Sequence, residues 1–395
     1  MTSIREKASV DDLLLQAERW RCTQLGIGVV SRNVVDVAVE LAKRHRVMLM
    51  LVASRRQVDT AALGGGYVCG WTAHELAEHV SRRGGAEWIL LSRDHGGPWQ
   101  HPVEVERAYD EDAAMRSAMA SYQEDIDAGF SIIHIDPSTS LDGEPPEDVI
   151  LARMLELYDA CSDYARSTGR DIAFEVGAEE QVNVHSSIER PRRMLECLRD
   201  HCANSGQPMP LFAVVQTGTK VLERRNVGSL DAPYRIEGQI PAEIFIPQVL
   251  CMLREFGVRI KQHNTDYLSS EVLGWHPRLG IDAANIAPEY GVEESLGLIE
   301  LLEGANCRDL SERFLELSYS TRKWEKWMVP GSLASDREKA IWSGHYVFSD
   351  PSFEDLKDEA NSRLAKADID VDAVLRARLD RLITSHVRAF RLALA

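Results

Sequence analysis

Eight short, nearly all-apolar runs, separated by longer stretches with helical periodicity, constrain this chain more than any other feature. They span Leu25–Ser31, Val47–Ser54, Trp88–Ser92, Ser131–Asp136, Asp171–Val176, Leu211–Gln216, Val258–His263 and Leu279–Pro288. Runs this apolar belong to strands buried on both faces, which is the condition of a parallel sheet covered by helices. Between them lie segments such as "NVVDVAVELAKRH", "DAAMRSAMASYQEDIDAG" and "EDVILARMLELYDACSDYARSTG", several ending in a glycine suited to a left-handed cap. Eight such alternations predict an α/β fold, a (β/α)8 TIM barrel, with an open doubly wound sheet as the alternative.

Beyond about residue 305 the pattern is helical with no strand between. The expected organisation is therefore a barrel over 1–305 and a helical C-terminal extension over 306–395, packed on the barrel and reaching its rim through "IWSGHYVFSD". A chain of 395 residues with 44% hydrophobic content can bury a core of that size. Its formal charge of −17 argues against nucleic-acid or anionic-membrane partners, which need a basic surface. No apolar stretch approaches the ~20 residues of a membrane span, and "MTSIREKASVDD" lacks the apolar core of a secretion signal, so a cytoplasmic protein is expected. Seven scattered cysteines form no C-x-x-C pair and read as buried thiols.

Polar side chains gather where the apolar runs end. In a barrel those ends form one rim, where active sites sit. "ILLSRDHGGPW" delivers Asp94 and His95, the fourth run ends at Asp136, the fifth carries Glu175, and the seventh delivers His263 with Asp266 beyond it. Imidazoles and carboxylates converging from different strands suit a divalent metal, so His95, Glu175 and His263 are the expected ligands. Zinc is the first choice, with manganese or another divalent ion as alternatives. Asp94, with Glu175 or Glu289, is the expected proton-transfer group, provided that Gly96-Gly97 lets adjacent Asp94 and His95 both reach the rim. Substrate contacts are expected from Gln57, Arg93, Asp136, Gln216, Lys220 and Asp266. Each residue also has an ordinary reading: a hydrogen-bonded strand-end histidine, Asp94 as a cap, Asp136 as a turn starter before Pro137, Glu289 at a helix start. Arg55, Arg56, Arg93, Lys220, Arg224 and Arg225 could hold an anion locally or be solvated surface charge, and "GGG" at Gly64–Gly66 could bring backbone amides to a ligand.

The ordered motifs "ASRRQV", "GGGYVCGWTAHEL", "RDHGGPW", "AGFSIIHIDPSTS", "FEVG", "VVQTGTKV", "QHNTDYLS" and "WSGHYVFSD" resemble the tagatose-bisphosphate aldolase non-catalytic subunit family. The resemblance implies a barrel related to zinc-dependent class II aldolases. It places Asp94 as the acid/base carboxylate, His95 as a metal ligand and His263 at the family's histidine after the seventh strand. It also implies two functions: a metal-dependent enzyme performing epimerisation or retro-aldol cleavage on a ketose or sugar derivative, or a subunit stabilising a catalytic aldolase. A sugar or sugar phosphate and either a homo-oligomer or an aldolase partner go with these. Where the family usually reads like "KVGPALT" after strand eight, this chain has "NIAPEYG", with Asn285 at the lysine position and Glu289 as a new acid. A cation lost and an anion gained there disfavour phosphate at that end of the rim and favour a neutral or singly charged polyol.

Overall fold

A computed structural model describes residues 7–143, 145–177, 188–230 and 240–392. Residues 1–6 of the N-terminal stretch read above lie outside them. The eight apolar runs form β1 (Gln24–Gly28), β2 (Leu49–Ser54), β3 (Ile89–Gly96), β4 (Ile132–Ile135), β5 (Ala173–Val176), β6 (Phe212–Val214), β7 (Arg259–Gln262) and β8 (Ala283–Ile286). Each pairs in parallel with its neighbours in sequence, and β1 pairs with β8, so the sheet closes into a (β/α)8 barrel.

Alternation along the strands sorts the side chains into two cores. Met50, Val52, Leu90, Ile132, Phe212 and Ala283 fill the lower barrel interior, and Leu13 of the helix Val10–Trp20 plugs the mouth beneath them. That helix starts in a capping box between Ser9 and Asp12, and its Gln16 joins the barrel by hydrogen bonds to Gln24 and the Met48 carbonyl. Residues of opposite parity, among them Leu51, Leu91, Ile133, Val176, Ile260 and Ile286, face the surrounding helices. The helices Glu111–Ala128, Glu147–Thr168 and Glu189–Ser205 end at Gly129, Gly169 and Gly206 in left-handed conformation, as glycine allows.

After the helix Pro288–Gly304 the described chain is helical, with Arg308–Ser320, Asp336–Ser343, Pro351–Leu364 and Val371–Ala389 as its main elements. Phe314, Ile341, Trp342, Phe353, Leu356 and Leu375 form a second core with Leu298 and Leu302. Leu379, Ile383, Val387 and Phe390 instead join the main barrel core, and the Phe390 carbonyl accepts the Thr23 N–H just before β1. The extension also reaches the C-terminal rim. The Cys69 N–H donates to Ser349 Oγ at 2.7 Å, and the Tyr67 and Tyr346 rings lie 5.0 Å apart. A short hairpin after β6, Val221–Leu222 with Arg225–Asn226, meets the extension through the Glu223 N–H and the Trp327 carbonyl at 2.8 Å.

Candidate active site

Inward parity carries Asp94, His134, Glu175, Lys261 and His263 into the upper barrel. His134 and Glu175 are register partners across β4 and β5. One ligand atom from each of Asp94, His134, Glu175 and His263 lies within 4.8 Å of the others. His263 Nε2 stands 3.1 Å from Glu175 Oε1 and 3.5 Å from Asp94 Oδ1. His134 Nδ1 is 3.7 Å from Glu175 Oε1 and 3.8 Å from Asp94 Oδ1, and it accepts the His95 N–H at 3.2 Å. Glu175 Oε2 is held by Lys261 Nζ at 2.5 Å, both side chains being fully buried.

A bulge resolves how adjacent residues share one rim. The β3–β4 register shifts between Arg93 and Gly96, and His95 takes a φ of +44°. Its ring therefore lies beside the group, with centroids 5.3 Å from that of His263 and 5.7 Å from that of His134. Asp136 Oδ2 anchors His95 Nδ1 at 2.9 Å and accepts Gln100 Nε2 at 3.1 Å. Gly97, at φ +137°, closes the turn where any Cβ would stand 2.1 Å from the Asp136 carbonyl oxygen.

The electrostatics favour ionised acids here. Burial would raise the Glu175 carboxyl, but Lys261, then His134 and His263, outweigh it and bring it to about 2. Burial opposes ionisation of Asp94 too, and His263, His95, His134 and Lys261 together hold its carboxyl well below the usual range. Asp94 Oδ1 is buried with no hydrogen-bond partner among the described residues, as is His134 Nε2. An unpartnered acceptor among two carboxylates and several imidazoles fits a divalent cation.

Of the residues singled out in the sequence, Asp94, Glu175 and His263 meet in this group, with His95 at its edge and Asp136 behind His95. His134 and Lys261 were missed, although each lies two residues before a residue that was picked, on the same strand face. Arg93 requires correction as a substrate contact. Strand parity turns it outward, where it is fully buried, forks onto Asp125 at 2.5 and 2.7 Å, and donates to the Ala53 and Val58 carbonyls. Gln57 is buried and accepts the Ser54 N–H, Gln216 is half-buried past β6, and Lys220 is exposed beside the hairpin.

Asp266 and Glu289 pair away from the cluster. Asp266 Oδ1 accepts the N–H groups of Ala287 and Glu289 at 2.9 Å each, capping the helix Pro288–Gly304 from outside it, while a Glu289 oxygen accepts the Tyr267 N–H at 2.7 Å. Burial, reinforced by Asp266, pushes the Glu289 carboxyl up to about 8, and burial alone pushes Asp266 to about 6. Glu289 thus begins a helix and engages a neighbouring loop.

These opposed shifts set a pH optimum for stability. The depressed Glu175 contributes stability above its unfolded value of 4.5 that is lost as pH falls toward about 2. The raised Asp266, Glu289 and, at about 7, Glu294 stabilise most while protonated, and that contribution is lost as pH rises through about 6 to 8. Urea unfolding from pH 3 to 9 is expected to show maximal stability near about pH 4, because the losses begin above the unfolded values of 3.8 and 4.5. Glu289→Gln should flatten the alkaline decline; a wild type that gains stability steadily up to pH 8 would contradict these assignments.

Comparison with known proteins finds relatives of part of this chain. The family model for D-tagatose-1,6-bisphosphate aldolase subunit GatZ/KbaZ-like proteins matches residues 15–184. Residues 15–184 thus resemble that family. They include Asp94, His95, His134, Asp136 and Glu175 and stop before Lys261 and His263. The curated D-tagatose-1,6-bisphosphate aldolase subunit GatZ of Escherichia coli is 31% identical over 160 residues, 38% of this chain, and the match spans only 36% of that relative. A crystal structure of a probable tagatose 6 phosphate kinase from Sinorhizobium meliloti superposes with a TM-score of 0.73 at 20% identity, covering 93% of this chain and all of the other. The glycerol-complexed fructuronate-tagaturonate epimerase UxaE from Cohnella laeviribosi gives 0.58 at 14% identity over 96% and 85% of the two chains. Both likenesses establish the fold that carries the GatZ/KbaZ-like segment. No helix among the described residues is long and apolar enough to cross a membrane.

Proposed function

We propose that this protein is a metal-dependent enzyme acting on a ketose or sugar derivative, by epimerisation or retro-aldol cleavage. The observation that carries this reading is the convergence of Asp94, His134, Glu175 and His263 within 4.8 Å at the barrel rim, with Asp94 Oδ1 left without a partner. Glu175 and His263 are assigned as metal ligands, with His95 or His134 completing the set around zinc or another divalent ion. A bound cation of this kind supplies Lewis acidity toward a sugar carbonyl.

The chain's own groups do the remaining work. Lys261 holds one Glu175 oxygen and so aims the other at the imidazoles. Asp136 fixes the His95 ring from behind, the arrangement by which a carboxylate orients a metal-binding histidine. Asp94, ionised at neutral pH, accepts a proton: from the carbon beside the carbonyl in epimerisation, or from a substrate hydroxyl in cleavage.

Metal analysis of protein purified without nickel tests the reading. Wild type should carry about one divalent ion per chain, and Glu175→Gln and His263→Ala should each lose it. Metal-free wild type, or both variants loaded as fully as wild type, would refute it. The likeness to an aldolase subunit favours a second reading, a stabilising partner for a catalytic aldolase. A metal-loaded isolated chain that turns over neither ketoses nor ketose phosphates, yet raises the activity of an added aldolase, would select that one.

A further inference from the structure

Three cations stand between the loop after β2 and the helical extension with no acid to neutralise them. Lys326 Nζ lies 4.5 Å from the Trp327 ring centroid and 5.1 Å from that of Tyr346. Arg56 and Lys323 are near enough to act on the Tyr346 phenol, and Arg56 acts on Lys326 and Tyr67 as well. Arg56, Lys323 and Lys326 are exposed, and none makes a salt bridge to a carboxylate among the described residues. In a chain with 62 acidic and 45 basic residues, three neighbouring cations without a counter-charge call for a ligand that supplies one.

Donors around them are also unspent. The Trp327 Nε1 lies beside the Tyr346 phenol, buried and without a partner in hydrogen-bond geometry, and His345 Nδ1 is buried and unpartnered too. Tyr346 packs on His345 at 4.1 Å and on Tyr67 at 5.0 Å between ring centroids, so these groups form one cluster. Gly291 permits the approach of His345, since a Cβ there would stand 2.6 Å from its ring.

The cluster is continuous with the candidate active site. Arg56 Nε donates to the Gln100 carbonyl at 3.3 Å, and the Gln100 side chain donates to Asp136, which holds His95. Gln100 and Asp136 thus link the basic cluster to the imidazoles. We infer that Arg56, Lys323, Lys326 and Trp327 form an anion subsite that receives the charged end of the sugar substrate, a phosphate monoester or a carboxylate. This deepens the proposed function and rests on it for the word substrate.

The test uses the whole, metal-stripped protein, so that the subsite is read independently of the metal centre. Inorganic phosphate, glycerol 3-phosphate, glycerate and glycerol are titrated calorimetrically at low salt. At least one anionic probe should bind and glycerol should not; glycerol 3-phosphate over glycerate identifies a phosphate site, the reverse a carboxylate site. Arg56→Gln and Lys326→Gln should each weaken binding about 10-fold or more, the loss of one charge-assisted hydrogen bond, with unchanged melting temperature. Glu175→Gln should leave this affinity intact while abolishing metal binding, so the subsite and the metal centre can fail separately. Absence of anion binding, or binding equal in wild type, Arg56→Gln and Lys326→Gln, would overturn the inference.

Discussion

Asp94→Asn should lower turnover by about 10²-fold or more while the protein folds and melts like wild type. The carboxylate lies inside the cluster, 3.5 Å from His263 Nε2, and no hydrogen bond occupies its Oδ1. Asparagine keeps the shape but removes the proton acceptor. Metal content decides which role Asp94 plays. If it moves protons, Asp94→Asn keeps its metal and loses kcat, whereas His95→Ala, which removes a ring anchored by Asp136, loses metal. Equal metal loss in the two variants would transfer Asp94 to the ligand set and leave the proton acceptor unassigned. Unchanged turnover in Asp94→Asn would end the proposed chemistry.

Lys261→Met should destabilise the metal-free protein by about 3–5 kcal/mol, the cost of leaving one member of a buried ion pair unpaired. Lys261 and Glu175 are both fully buried and 2.5 Å apart. The depressed Glu175 carboxyl agrees in direction, since Lys261 is the largest of the charges that outweigh its burial. Removing both charges tests the origin of the loss. Lys261→Met combined with Glu175→Leu should recover much of the stability, because two apolar side chains of similar volume need no counter-charge. A double variant less stable than Lys261→Met alone would show that packing, and not the stranded carboxylate, sets the cost.

The barrel was legible because strands covered on both faces must be apolar throughout, and helices that end at glycine punctuate them. Asp94, Glu175 and His263 were legible because a barrel collects its strand ends. His134 and Lys261 are harder to read because they sit within their apolar runs, two residues before Asp136 and His263. The signal was nonetheless present: residues 134 and 136, and 261 and 263, share a face by the two-residue period. The same rule, applied to Arg93 beside Asp94, would have turned Arg93 outward. His95 escapes it through the bulge, which adjacent Gly96 and Gly97 permit but do not specify. Neither the hairpin at residues 221–226 nor the meeting of Arg56 with Lys326 could be read locally. The first has two-residue strands, and the second joins segments 270 residues apart through the docking of the extension.

The last helix has a consequence for how the chain is made. Phe390 and its neighbours complete the core against which β1 lies, and the Thr23 side chain bonds to the Ile281 carbonyl where the first and last strands meet. The seam of the ring is thus sealed by residues that follow β1 by about 360 positions in the chain. At about 5–20 residues per second, nascent β1 waits on the order of tens of seconds for these partners. Throughout synthesis the growing sheet keeps open edges, and those edges are what chaperones of the translating cell would meet.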